Sequence, residues 1–427
     1  MASSDFRRLP GFRDFPPEEL AFRAHLFRAW RAVARRYGFL EYDGPPLEPL
    51  ELYTEKSGDE IVGQLYNFTD KGDRQVSLRP EMTPSLARIL GEHARSMPKP
   101  IRWFSIPQLF RYERQQRGRL REHFQWNVDI VGEDDVSADA EVLAVAIDGL
   151  RELGLGAEDV RARVSDRRLL TALLRDGVGV PEDGMDAAFA LIDKVERMPE
   201  EVAREKLAAD AGLDPAQVDA LLKLFELEGL DDIRAAHPEA SVAEAAAPLD
   251  AYLGHLEAMG LGDFVEVDLT IVRGLAYYTG IVFELFDRQG ELRAICGGGR
   301  YDRLLELVGG DPMPAVGFGM GDVVLGELLR ERALAPDYER TLDYYVVVIG
   351  EEQGPAARGL AHRLRDAGHS VAYEFRDRSV GKQFKSAGTE GARSVIVLGP
   401  EEAAKGVVVL RDMASGEEER VPPESLG

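Results

Sequence analysis

Five arginines fall within Phe110-Arg111-Tyr112-Glu113-Arg114-Gln115-Gln116-Arg117-Gly118-Arg119-Leu120-Arg121, and Gly118 stands between two of them. Arginine grips phosphate through two parallel N–H donors and stays charged at any working pH. A strand, an arginine loop and a returning strand therefore predict a hairpin suited to phosphates; a solvated charge run is the competing reading. Upstream, Arg79-Pro80-Glu81-Met82-Thr83-Pro84 carries a strand into a helix start. In an extended segment Glu81 and Thr83 share one side. A carboxylate there can bind an ammonium group, or Thr83 can simply cap the helix beside a solvated Glu81. In Val272-Arg273-Gly274-Leu275-Ala276-Tyr277-Tyr278-Thr279-Gly280, an arginine and two vicinal tyrosines lie between two strand-like runs. They suit a pocket wall with phenol handles, or an ordinary hairpin. Cys296-Gly297-Gly298-Gly299-Arg300-Tyr301-Asp302 lets a backbone approach closely but has neither P-loop nor dinucleotide spacing. Ala315-Val316-Gly317-Phe318-Gly319-Met320-Gly321 reads as a glycine strand entering a helix, flat enough for adenine or for tight packing.

These segments need elements to hold them. Residues 17–36 predict a helix: Pro16 and Pro17 stand at its start, Glu18 and Glu19 in its first turn, Arg35 and Arg36 before Gly38. Leu20, Leu26, Phe27, Trp30 and Val33 form its apolar face. Strand-like runs follow to Arg79, then a helix over about 84–93. In residues 122–132, Phe124, Trp126, Val128 and Ile130 alternate with His123, Gln125, Asn127 and Asp129. Val265, Val267, Leu269 and Ile271 alternate likewise with Glu266, Asp268 and Thr270. Two such strands predict an antiparallel sheet with helices on its apolar side; the polar side then lines a cleft or meets water. Residues 165–260 are helix-rich, with starts at Pro199-Glu200-Glu201 and Asp214-Pro215, and separate the strand groups as an inserted module. From residue 343 the pattern predicts strands at Tyr344–Ile349, Ser370–Phe375, Ser394–Leu398 and Val407–Leu410, with helices at Pro355–Ala367 and 381–390. This is a compact α/β domain behind a linker at Arg330–Thr341. The fold class expected is α+β.

The formal charge, 52 − 76 = −24, argues against indiscriminate nucleic-acid binding, because an acidic surface repels phosphate. A local basic site remains compatible with it. A single cysteine, Cys296, allows no internal disulfide and no cysteine-rich zinc site. No apolar run approaches the ~20 residues of a membrane span. The opening Met-Ala-Ser-Ser-Asp-Phe-Arg-Arg has no apolar core of a secretory signal. A cytoplasmic location is expected.

In their order and spacing these segments resemble the histidyl-tRNA synthetases, a class II aminoacyl-tRNA synthetase family, over nearly the whole chain. Leu9-Pro10-Gly11-Phe12-Arg13-Asp14-Phe15-Pro16 looks like the family's opening; Tyr37–Glu48 resembles the first class II motif, with Pro45 at its proline near the family's dimer interface. Arg111–Gly132 resembles the second motif. Arg273-Gly274-Leu275-Ala276-Tyr277-Tyr278 and Gly298-Gly299-Arg300-Tyr301-Asp302 look like the two histidine-specific signatures, and Gly381-Lys382-Gln383-Phe384-Lys385-Ser386-Ala387 like the anticodon-binding domain. The resemblance implies a class II antiparallel sheet: catalytic parts at 1–164 and 261–332, the helical insertion at 165–260 and an anticodon-binding α/β domain at 343–427. It implies activation of histidine with ATP and transfer to tRNA(His) by a homodimer, with Mg²⁺ held mainly through phosphate oxygens. Glu81, Gln125 and Asp129 would surround the histidine α-amino group with Thr83 in support, and Tyr277 and Tyr278 would shape the imidazole pocket. Arg111 would hold the ATP α-phosphate and Arg273 would stabilise its charge during in-line attack. Arg119, Arg121, Gly319 and Gly321 would contact ATP; Arg114 and Gln116 would face the tRNA acceptor end. No resident metal ligands are implied.

Two positions depart from the pattern. Ala276 stands where the family signature has aspartate, and Val324 where the third motif, after Gly321-Asp322-Val323, has an arginine that contacts the γ-phosphate. Three readings stay open: Arg119 or Arg121 replaces it, the chain is a divergent branch of the family, or catalysis is lost. The rival reading is a catalytically inactive synthetase-like regulatory subunit of ATP phosphoribosyltransferase. Such paralogues lose motif arginines and the C-terminal domain, whereas Glu81, Arg111, Arg273 and residues 343–427 are all kept here.

Overall fold

The first described helix is Pro17–Arg36, started by its N-terminal proline and acidic first turn and closed at Tyr37. Leu26, Trp30 and Val33 are buried as expected, whereas Leu20 is 42% exposed, being out of phase with that stripe. Trp30 stacks on Trp126 at 5.9 Å, docking the helix on the apolar face of the strand Glu122–Val131. Rings of this size each bury roughly 150–250 Å², so this one pair fixes the helix against the sheet. The computed structural model describes residues 6–54, 63–114, 116–195, 198–272, 278–290, 292–307, 312–338 and 340–426.

The chain divides into two compact units, Met1–Pro336 and Asp337–Gly427. The first is an α+β unit on a sheet of nine strands among the described residues. Its order is Leu40–Glu41, Ile101–Ser105, Glu122–Val131, Ala315–Gly321, Cys296–Arg300, Ile281–Asp287, Val160–Asp166 and Val265–Val267, with Gln108–Phe110 pairing the end of Glu122–Val131. All pairs are antiparallel except the two outermost, Leu40–Glu41 with Ile101–Ser105 and Val160–Asp166 with Val265–Val267. Residues 265–271 were expected as one alternating strand, but the strand ends at Val267. There the Asp268 carboxylate accepts from the backbone N–H of Thr270 at 2.9 Å and from its hydroxyl at 2.6 Å. This local turn competes with the ladder.

The helix Val136–Arg151, capped by Asp135 accepting from the Ser137 N–H, runs beneath the apolar face and is buried on nearly every side. It packs with Ala240–Ala258. The region 165–260 is helical throughout most of its length, and Asp214 starts one helix with a reciprocal capping box to Gln217. On the opposite face, the helix Thr83–His93 covers one end of the sheet, where Leu86 and Leu90 join Tyr278, Tyr301 and Val282 in a second core. The rest of that face is left as a cleft.

The second unit has a five-stranded sheet, ordered Val371–Tyr373, Leu342–Val348, Ala392–Leu398, Val408–Asp412 and Glu418–Val421. Its first three strands are parallel and its last two antiparallel. Helices Gly354–Asp366 and Val380–Thr389 flank it with separate apolar clusters. No described helix is long and apolar enough to cross a membrane.

Candidate active site

Two strands build the cleft floor. Gly317, Gly319 and Gly321 pair with Asp129, Asn127 and Gln125 across the sheet. A Cβ on Gly317 would sit 2.2 Å from Asp129 Oδ1, and one on Gly319 would sit 2.7 Å from the Gln125 side chain. The glycines thus let the polar side chains of the neighbouring strand lie across the floor. Nothing fills the space over Gly321 within 4 Å. Tyr278 lies against Gly299 and meets Tyr301 edge-on at 6.5 Å.

Asp129 is buried and accepts a short hydrogen bond from the Tyr301 hydroxyl. Burial pushes its carboxyl up to about 7, partly opposed by that hydrogen bond. No local pattern in the motif at 298–302 points to this contact of Tyr301. Glu81 is 8% exposed, neither solvated nor in an extended segment: Met82 is already α-helical in conformation, and Thr83 is the first residue of its helix with no side-chain cap at Met82. Burial raises the Glu81 carboxyl above its ordinary range while the Arg111 cation pulls it down. Arg111 donates its Nε–H to the Pro80 carbonyl at 2.9 Å, so the two candidate segments meet.

A cavity of about 600 Å³ opens over this floor, within the range for small-molecule sites. Arg111, Arg119, His123, Gln125, Gly319 and Gly321 line it, with Thr270–Val272 and Glu284 on the far wall. His123, a member of the polar row on its strand, joins the cavity lining without any local signal for it. Burial and the cations Arg111 and Arg13 depress it to about 3, so it presents a neutral ring. Arg273 and Tyr277 lie outside the described residues, next in sequence to the lining residue Val272 and the buried Tyr278.

The arginine loop is neither a bare anion site nor a solvated run, because much of its charge is paired within the protein. Arg119 pairs closely with Glu113, and Arg117 with Glu327 and Glu331. Arg121 lays its stem on Gly11, sets its guanidinium 4.2 Å from the Tyr112 ring centroid, and is not among the cavity-lining residues. Arg114 and Gln116 are exposed, and Gln116 accepts from Arg293 at 2.8 Å. Arg13 binds Glu122 at 2.7 Å and Asp322 at 2.9 Å, tying the N-terminal segment to the Glu122–Val131 strand and to the start of the helix Asp322–Glu331. Arg300 does not reach into the cleft: it pins its strand to the helix below through Asp139, with both contacts from Nε at 3.0 Å.

The sequence model of the histidyl-tRNA synthetase family matches residues 11–321. The chain belongs to that family. A second model, the anticodon binding domain, matches residues 343–427. Histidine–tRNA ligase of Opitutus terrae is 45% identical over 99% of this chain and 97% of that protein. The chloroplastic/mitochondrial histidine–tRNA ligase of Arabidopsis thaliana is 42% identical over 97% of this chain and 85% of its own length. The crystal structure of histidyl-tRNA synthetase from Nostoc sp. PCC 7120 superposes with a TM-score of 0.80 at 26% identity, covering 99% of each chain. This histidyl-tRNA synthetase family member is built on a nine-stranded, largely antiparallel sheet among the described residues. It also has a cleft on the sheet's polar face and Val324 at the cavity wall.

Proposed function

We infer that this chain ligates histidine to tRNA(His): histidine and ATP form histidyl-adenylate, and the histidyl group then passes to the tRNA. The carrying observation is a cavity lined by Arg111, Gln125 and the neutral His123, with two buried carboxylates tied to these residues: Glu81, which feels the Arg111 cation, and Asp129, four residues along the strand from Gln125. The full-length ligase relatives support it, and the matched C-terminal domain disfavours a regulatory subunit.

In this reading Glu81, Thr83, Gln125 and Asp129 receive histidine, with Tyr277 and Tyr278 around its imidazole. Arg111 and Arg273 bind the α-phosphate; Arg119, Gly319 and Gly321 belong to the ATP site, whereas Arg121, turned onto Tyr112 and absent from the cavity lining, does not. A histidine carboxylate oxygen attacks the α-phosphorus, and the bond to the α–β bridging oxygen breaks. Pyrophosphate leaves with that electron pair. The chain contributes positioning and fixed positive charge, with no side-chain nucleophile. Glu284 on the cavity wall fits Mg²⁺, which takes one or two carboxylates plus phosphate oxygens and would neutralise triphosphate charge. Arg114 and Gln116 face the acceptor end of tRNA. The catalytic region comprises 1–164 and 261–332, the insertion 165–260 and the anticodon-binding region 343–427; the active form is a cytoplasmic homodimer.

Histidine-dependent ATP–pyrophosphate exchange tests this. The expected outcome is exchange with histidine and Mg²⁺ and none with other amino acids. Absence of exchange by the intact protein would overturn the reading.

A further inference from the structure

The cavity lining includes a cation that the class II motifs do not supply. Arg293 lies in the connection between the strands Ile281–Asp287 and Cys296–Arg300, and it lines the cavity together with Val324. Gly118, at the tip of the arginine loop, fixes where these residues meet. A Cβ built on Gly118 would lie 3.1 Å from Val324 Cγ2 and 4.0 Å from Arg293 Cδ. Arg293 also donates to Gln116 Oε1 at 2.8 Å, which holds its guanidinium beside the loop. Val324 is buried and apolar and offers nothing to an anion. Of the two arginines expected to compensate, only Arg119 lines the cavity. Arg119 is closely paired with Glu113, and Arg121 is turned onto Tyr112.

We propose that Arg293 binds the β- and γ-phosphates of ATP and the departing pyrophosphate, supplying from a strand connection the charge that Val324 leaves out of the helix Asp322–Glu331. This rests on the ATP-dependent reading above. The chemistry is the adenylation already written: the P–O bond to the bridging oxygen breaks, and its electron pair leaves on pyrophosphate. Arg293 takes no proton and forms no bond. Its guanidinium matches two phosphate oxygens at once and becomes more valuable as the leaving group gains charge.

The side chain is exposed, so replacing it leaves the core intact. Arg293→Ala is expected to raise KM for ATP and for pyrophosphate at least tenfold in exchange, with KM for histidine unchanged. Arg293→Lys should recover part of the loss, and so should Arg293→Ala combined with Val324→Arg. Calorimetry of ATP and of pyrophosphate with wild type and Arg293→Ala reads the contact without turnover. Equal affinities in the two proteins would overturn the proposal, whether or not exchange occurs. Weakened binding in the variant, alongside a wild type that shows no histidine-dependent exchange, would support the contact and overturn only the ligase reading.

Discussion

Asp129, in the proposed histidine site, is a residue whose burial works against the fold. Its carboxyl is pushed up to about 7 by burial, so the folded protein holds it neutral below about pH 7 and ionised above it. The folded value lies above the ordinary one, so folding takes up protons. The stability deficit is therefore absent below about pH 4 and grows as pH rises toward 7, at about 1.4 kcal/mol per unit. Above 7 it levels off, on the order of 4 kcal/mol at most. Asp129→Asn keeps the shape and an acceptor for Tyr301 but cannot ionise. The variant should melt several degrees higher than wild type at pH 8, and the difference should vanish near pH 4. It should also raise KM for histidine at least tenfold, having lost the anionic acceptor. Melting curves across pH and exchange kinetics check both; equal melting temperatures at pH 8 would refute the stored cost. His123 moves the opposite way: depressed to about 3, it stays neutral through the working range. It should give the pH–rate profile no inflection near 6.5, and its replacement by phenylalanine should leave that part of the profile unchanged.

At the scale of elements, the glycine strand Ala315–Gly321 decides whether the polar row can lie flat. The contacts of Gly317 and Gly319 differ in kind. The three atoms nearest an added Cβ at Gly319 all belong to the Gln125 side chain, whereas those nearest one at Gly317 include the Val128 carbonyl at 2.7 Å as well as Asp129. Gly319→Ala should therefore displace Gln125 and raise KM for histidine about tenfold while the melting temperature stays within a few degrees. Gly317→Ala forces backbone to move, and it should lose both stability and histidine affinity. Similar melting temperatures for the two variants would contradict this distinction. The sequence marked these glycines but left adenine platform and tight packing equal, because the answer depends on Gln125 and Asp129, which lie on a strand far away in the chain. The helix Pro17–Arg36 was legible because its proline start and amphipathic stripe are local signals. The helix Val136–Arg151 was not, since a helix buried all round loses the period that betrays one; its Asp135 cap was the remaining clue. The arginine loop was legible as a charge concentration. Its pairing with Glu113, Glu327 and Glu331 was not, because two of those partners come from another helix.

The whole molecule carries a net charge of −24 yet has to bind a polyanion. Long-range attraction over the entire surface cannot provide that, so binding must be concentrated where aromatic and basic groups face solvent together. The C-terminal unit offers one such place. Phe375 is 88% exposed and edge-on to Tyr373 at 5.3 Å, which holds its position without covering its face. Arg376, Arg378, Lys382 and Lys385 are exposed along the adjoining segment and helix. An exposed aromatic among cations is the arrangement on which an unpaired base stacks, each stacked base contributing roughly 1–3 kcal/mol. Phe375→Ala removes no buried contact from the core, so the fold should be unaffected. It should raise KM for tRNA(His) in aminoacylation by roughly five- to a hundredfold, the range that stacking energy implies. Histidine-dependent exchange, which needs no tRNA, should be unchanged. The basic side chains should act differently: Lys382→Ala should weaken tRNA binding mainly at low salt and flatten its salt dependence. If Phe375→Ala charges tRNA with wild-type KM, the base-stacking role is refuted. The acidic chain would then have to engage tRNA through another surface, with the exposed Arg114 in the loop over the catalytic cleft the first to test.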